Sequence, residues 1–85
     1  MIKLYSTPGC PQCRRLKSLL EGHQFEELDL RDPANLVDLR CMGIFSLSAP
    51  ILVISEDPLV YIESGPIAAS SDTTILDLIR AESEK

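Results

Sequence analysis

A short extended run, IKLY at residues 2–5, gives way within a few residues to a helical pattern, and the junction reads STPGCPQC. Two cysteines three apart, with a proline after the first, therefore fall where a strand ends and a helix begins. No other feature restricts the fold as much, because a strand passing through a tight loop into a helix is the opening of a βαβ unit. Leu16, Leu19 and Leu20 share a helix face with Cys13, and Gly22 supplies a stop, so the spacing predicts a helix over 11–21. FEELDL at 25–30 is the returning strand, with Leu28 and Leu30 on one side. Asp32-Pro33 then reads as an N-cap and a first-turn proline, opening a second helix that runs to Met42 and is closed by Gly43.

Beyond the loop IFSLSA, PILVIS (50–55) is a continuous apolar run, the pattern of a strand buried on both faces. EDP turns the chain, and LVYIES (59–64) returns as the second arm of a hairpin. Gly65 and Pro66 break the pattern, and Asp72 is the expected cap of a last helix over 73–82, with Ile75, Leu76 and Ile79 as its apolar stripe. The order is β-α-β-α-β-β-α. It describes an α/β fold in which a four-stranded mixed sheet is flanked by three helices, with a right-handed crossover in the first βαβ unit. No repeat, linker or low-complexity stretch interrupts it, so one domain over 1–85 is expected.

A chain of 85 residues that is 45% hydrophobic has material for one modest core. Small secreted domains supplement such cores with several disulfides, but three cysteines, one of them distant, cannot form that framework. A reducing compartment, in which the close pair has chemistry, fits the count better. The opening MIKLYSTPGC has no uninterrupted apolar segment of a secretory signal, and ILVI at 51–54 is too short to cross a bilayer. A cytoplasmic protein without membrane attachment is therefore expected. The net charge of −5 disfavours nucleic acid and anionic lipid as partners, since both require a basic footprint. Arg14, Arg15 and Lys17 do cluster, and they read as solvated helix surface.

Disulfide exchange needs a thiolate, and an ordinary cysteine is mostly protonated near neutral pH. At a helix N-terminus, unpaired N–H groups and the positive end of the macrodipole favour an anion, so the position of Cys10 is expected to lower its pKa. Arg14 and Arg15, one turn on, are expected to add a little to this. Pro11 suits the first helical turn, where its missing N–H costs nothing. Cys13 lies on the same face, within reach of the Cys10 sulfur and nearer the core, which makes Cys10 the attacking thiol and Cys13 the resolving one. Two readings of other classes compete. Cys10, Cys13, Cys41 and His23 are the residue types of a Cys₃His zinc site, though a second close ligand pair is lacking. Alternatively, the pair is structural in a non-catalytic partner-binding module, although an intracellular disulfide has little reason to persist unless it is used. His23 reads as a solvent-facing turn residue and Cys41 as a small buried hydrophobe. Pro50 opens a strand that otherwise reads as central, which points to unusual backbone at the strand entry.

YSTPGCPQC, then SAPILVI, then a hairpin and closing helix resemble a glutaredoxin of the thioredoxin superfamily over nearly the whole chain. Within that superfamily, Gln12 of CPQC and the Ala49-Pro50 pair resemble the NrdH-redoxins. The resemblance implies a thioredoxin/glutaredoxin fold and a thiol–disulfide oxidoreductase, an electron carrier that reduces protein disulfides through Cys10 and Cys13. It implies a cis Ala49–Pro50 bond packed against the cysteine motif, with the Ala49 backbone turned to pair with an extended client segment. Pro11, Gln12 and Thr7 join Ala49 and Pro50 as substrate-binding residues, with Pro8, Leu47 and Ser48 completing a shallow groove. No bound cofactor or metal is implied. Electrons come from a thioredoxin reductase flavoprotein using NADPH or from glutathione, and the partners are that reductase and disulfide-containing client proteins; the chain is expected to act as a monomer. Thr7 stands where glutaredoxins often place a Lys or Arg for glutathione, and ESGPIAASSD (63–72) replaces their Gly-Gly-x-Asp motif, so glutathione is expected to bind weakly. The WSGFRP-like segment of NrdH-redoxins is reduced here to Ser64-Gly65.

Overall fold

The computed structural model describes residues 2–46, 48–56 and 59–83. Their elements run β1 (Ile2–Ser6), α1 (Pro11–Leu19), β2 (Phe25–Asp29), α2 (Pro33–Cys41), β3 (Ile51–Glu56), β4 (Leu59–Ile62), α3 (Ser64–Ala69) and α4 (Asp72–Ser83). The strands form one mixed sheet in the order β2-β1-β3-β4, leaving β2 and β4 at the edges. β1 runs parallel to β2, with Leu4 opposite Glu27, and antiparallel to β3, with Tyr5 opposite Ile51. β3 and β4 form the expected antiparallel hairpin, with a register shift between Val53 and Ser55. The turn expected at EDP falls at 57–58, outside the described residues.

Alternation along the central strands divides the core into two layers. Ile2, Leu4, Leu52 and Ile54 pack against Leu16 and Leu20 of the α1 region, Ile67 of α3, and Ile75 and Ile79 of α4. Tyr5, Ile51 and Val53 face the other way, onto Leu39 of α2, Leu30 and Ile44. Ile51, Leu52, Val53 and Ile54 are all buried, so the apolar run does serve both faces of the sheet. No described helix is long and apolar enough to cross a membrane.

The structure departs from the sequence reading in the helices. A fourth, short helix, α3, occupies the stretch where Gly65 and Pro66 predicted only a break. Both residues lie in its first turn, where a proline is tolerated because its N–H would have no intrahelical partner. The cap of α4 is Ser71 rather than Asp72: Ser71 Oγ accepts the Thr74 N–H at 3.3 Å. At α2 the expected cap is present, with Asp32 accepting from the Ala34 N–H at 3.0 Å. Gly43 closes that helix at φ +84°, while its own N–H reaches Arg40 O and the Ile44 N–H reaches Leu39 O, both at 2.9 Å. This pair of bonds is a Schellman motif, and its left-handed residue is the reason a glycine stands there.

Cys41 corrects another expectation, for it is exposed rather than buried. Leu39 takes the inward position of α2, and a residue two further on lies roughly 200° around the helix, on the outer face with exposed Val37.

Candidate active site

At the end of β1, Gly9 turns the chain at φ +73°, a left-handed conformation that glycine enters at little cost. The turn delivers Cys10 to the N-cap of α1 in an extended conformation, φ −88° and ψ 113°. Its Sγ accepts the Cys13 N–H at 3.2 Å, and its carbonyl accepts the Arg14 N–H at 3.2 Å. Cys10 thus occupies the place of a Ser or Asp cap, with its sulfur aimed at the unpaired N–H groups of the first turn. Pro11 is the first helical residue and is exposed.

Cys10 is half-buried, whereas Cys13 is 2% exposed. Burial pushes the Cys13 thiol from an ordinary 9.0 up to about 11, helped by its hydrogen bond with Cys10, while the Thr7 backbone and the charge of Lys17 pull the other way. Thr7 therefore meets the cysteine pair through its main chain. Lys17 Nζ lies 2.6 Å from Glu27 Oε2, which also accepts the Ser6 hydroxyl at 3.0 Å. The lysine first, then the hydroxyl, hold the Glu27 carboxyl below its usual range against some desolvation. These side chains, with Thr7, Pro8 and Asp29, line a cleft of about 290 Å³ at the carboxyl ends of β1 and β2. That end of adjacent parallel strands is where α/β folds commonly bind ligands.

The Ala49–Pro50 bond is cis. Pro50 is buried, Ala49 is half-buried against the Tyr5 layer, and Ser48 is exposed. Since Ile51 pairs with Tyr5, one further step of the antiparallel register sets Pro50 beside Ser6, at the end of the sheet from which the Thr7–Cys10 loop departs. Leu47 lies outside the described residues. The loop that leads to Cys10 and the 49–50 segment, far apart in sequence, thus lie at the same end of the sheet.

Arg15 is the feature that sequence reasoning missed. It is neither solvated nor curled back towards Cys10. Its Nε donates to Asp72 Oδ1 at 2.5 Å, Nη1 to Gln12 Oε1 and Ile67 O at 2.9 Å each, and Nη2 to Ser70 O at 2.6 Å. It binds two carbonyls at the C-terminal end of α3: Ile67 O, which also accepts the N–H of the capping Ser70 at 3.2 Å, and Ser70 O just beyond the helix. Gln12, held by this arginine, is half-buried. The long-range partners of Arg15 lie 52 to 57 residues away in the chain, so no local pattern announces them.

The zinc constellation is not assembled. Among the described residues no three His, Cys, Asp or Glu side chains lie together as metal ligands, because Cys41 is on the outer face of α2 and half-buried His23 sits in the turn after α1.

Comparison with known proteins agrees with this architecture. The glutaredoxin family model matches residues 2–39, which hold β1, the cysteine loop, α1, β2 and most of α2. An uncharacterized glutaredoxin-like 8.6 kDa protein in the rubredoxin operon of Clostridium pasteurianum is 32% identical over 57 residues, covering 67% of this chain and 76% of the relative. No solved structure matches significantly. With its mixed four-stranded sheet, its cysteine pair at the first helix and this relationship, the chain belongs to the glutaredoxin family of the thioredoxin superfamily, whose chemistry is thiol–disulfide oxidoreduction.

Proposed function

We propose that the protein is an electron carrier that reduces disulfides of client proteins by dithiol exchange through Cys10 and Cys13. The observation that carries this reading is the asymmetry of the pair: Cys10 is half-buried at the helix N-terminus and its Sγ accepts the Cys13 N–H at 3.2 Å, while Cys13 is buried. The Cys10 thiolate attacks one client sulfur; the client S–S bond breaks, a mixed disulfide forms, and the other client sulfur leaves as a thiolate. The Cys13 thiolate then attacks Cys10 Sγ, closing the Cys10–Cys13 disulfide and releasing the second client thiolate. Two electrons from a reductase reopen that bond. An extended client segment pairs with the Ala49 main chain, with Thr7, Pro11, Gln12 and Pro50 around it. The protein works without a bound cofactor, in the cytoplasm.

The donor we favour is a thioredoxin reductase-type flavoprotein using NADPH, as for the NrdH-redoxins that the CPQC and SAP motifs resemble. Thr7 offers no charge to a glutathione carboxylate, and residues 64–69 are helical, with Ile67 and Ser70 carbonyls already bound to Arg15, where a Gly-Gly-x-Asp turn would present backbone donors. Two coupled NADPH-oxidation assays on the oxidised protein test the donor, one with thioredoxin reductase and one with glutathione plus glutathione reductase. Turnover is expected in the first, and fast turnover in the second alone would overturn the assignment. Cys10→Ser is expected to abolish reduction and Cys13→Ser to accumulate mixed disulfides; equal loss without a trapped adduct rejects the division of labour.

A further inference from the structure

We infer that Gln12 is a specificity-determining hydrogen-bond donor, turned by Arg15 so that its amide N–H₂ meets a main-chain carbonyl of the client beside the attacked sulfur. The inference rests on the reaction proposed above and adds to it an atom, a ligand group and a positioning residue.

The orientation of a glutamine amide is ambiguous unless its partners settle it, and here the partner does. A guanidinium has five N–H donors and no acceptor, so the Gln12 atom 2.9 Å from Arg15 Nη1 is the oxygen. Nε2 must point away from the guanidinium, and among the described residues it has no hydrogen-bond partner. Arg15 is not free to follow a turning amide. Its Nε is on Asp72, Nη1 is shared with Ile67 O, and Nη2 is on Ser70 O, so groups at the start of α4 and the end of α3 hold the fork in place. Arg15 is therefore a positioning residue, acting through Gln12. Gln12 follows Cys10 by two residues in the first turn of α1, so its long side chain is within reach of a client held on Cys10. A peptide disulfide carries carbonyls within a few bonds of its sulfur, and a glutamine N–H₂ already turned towards them gives up little freedom in binding.

The test compares a cystine-bridged peptide with 2-hydroxyethyl disulfide, which contains no carbonyl. Gln12→Met keeps the length of the side chain and removes the donor. The ratio of kcat/KM for the peptide to that for 2-hydroxyethyl disulfide is expected to fall about three- to tenfold, the size of one neutral hydrogen bond, mainly through KM. Arg15→Lys keeps the charge and loses the fork, and it is expected to lower the same ratio by a smaller factor. In the Arg15→Lys background, Gln12→Met is expected to lower it further by less than it does alone. An unchanged ratio in Gln12→Met, or additive effects of the two substitutions, overturns the inference while leaving the reaction standing. Absence of reduction of either substrate by the unsubstituted protein overturns the reaction, and this inference with it. Thermal denaturation of each variant separates these outcomes from loss of fold, which would lower both rates together.

Discussion

In the proposed exchange, release of the client depends on a thiol that the fold makes hard to ionise, and the pH dependence of that step is open to direct measurement. Cys13 is raised from 9.0 to about 11, first by burial and second by its hydrogen bond with Cys10. In the mixed disulfide the Cys10 sulfur is bonded to the client, so the second cause is lost and the first remains. The Cys13 pKa then lies below about 11 and still above the ordinary value. Full expression of the two-unit shift leaves about 100-fold less thiolate at neutral pH than an unshifted cysteine would have. Thiolate nucleophilicity rises by about 0.4–0.5 logarithmic units per pKa unit, which recovers roughly six- to tenfold. The step is therefore slower by at most about 10- to 16-fold than the same geometry would give with an ordinary thiol. Because the raised group is an acid that reacts as its anion, the rate continues to rise with pH until the pKa is passed. Stopped-flow mixing of the reduced protein with excess Ellman's reagent gives two releases of coloured thiolate, the first from attack by Cys10 and the second from attack by Cys13. The second phase is expected to be independent of reagent concentration and to rise close to tenfold per unit from about pH 6 to about pH 9. A rate that levels off at about pH 9, the ordinary value of 9.0, would show that the Cys13 thiol is not raised and would refute the burial argument.

Three further outcomes are expected. Lys17→Met removes a charge that favours the Cys13 thiolate, so the second phase slows at pH 7; stability changes by no more than about 1 kcal/mol because the Lys17–Glu27 pair is half-exposed, as urea denaturation will check. Leu16→Ala empties a fully buried site between α1 and the sheet and is expected to cost about 2–5 kcal/mol, read as a lowered urea midpoint. At Gly43 no atom outside its immediate neighbours lies within 4 Å of an added Cβ, so the cost of Gly43→Ala is conformational, about 1 kcal/mol, and Gly43→Asn is expected to cost less because asparagine enters the left-handed region more readily.

The strands and the first two helices were legible because their signals are local. Ile51 to Ile54 form an apolar run that only a doubly covered strand needs, and Asp32-Pro33 and Gly43 carry the start and stop of α2 in their own chemistry. Cys10 and Cys13 were legible for the same reason, since a strand, a turn and a helix start place them without help from elsewhere. Other features depended on tertiary contacts. Ser71 and Asp72 are both good caps, and the choice between them was hidden until Arg15 took the Asp72 carboxylate. The face of α2 was ambiguous because Leu36, Val37, Leu39 and Cys41 spread apolar side chains around a helix of nine residues, and only the docked sheet shows that Leu39 is inside. Gln12 reads as exposed in any local view; it is half-buried and held by an arginine whose own partners lie more than fifty residues on.

The edges of the sheet have a consequence for how copies of this molecule meet. A strand with a free flank offers a row of unpaired amide and carbonyl groups to any other extended chain, and proteins that remain dispersed must discourage that pairing. β2 does so with charge: three of its five residues, Glu26, Glu27 and Asp29, are acidic and exposed, so two such flanks brought together would set carboxylates against carboxylates. β4 does so with brevity, for four residues give an incoming strand few groups to grip. Replacing the acids of β2 with threonines would leave the core untouched and remove that electrostatic guard, turning a sheet that ends at four strands into one that other chains can extend.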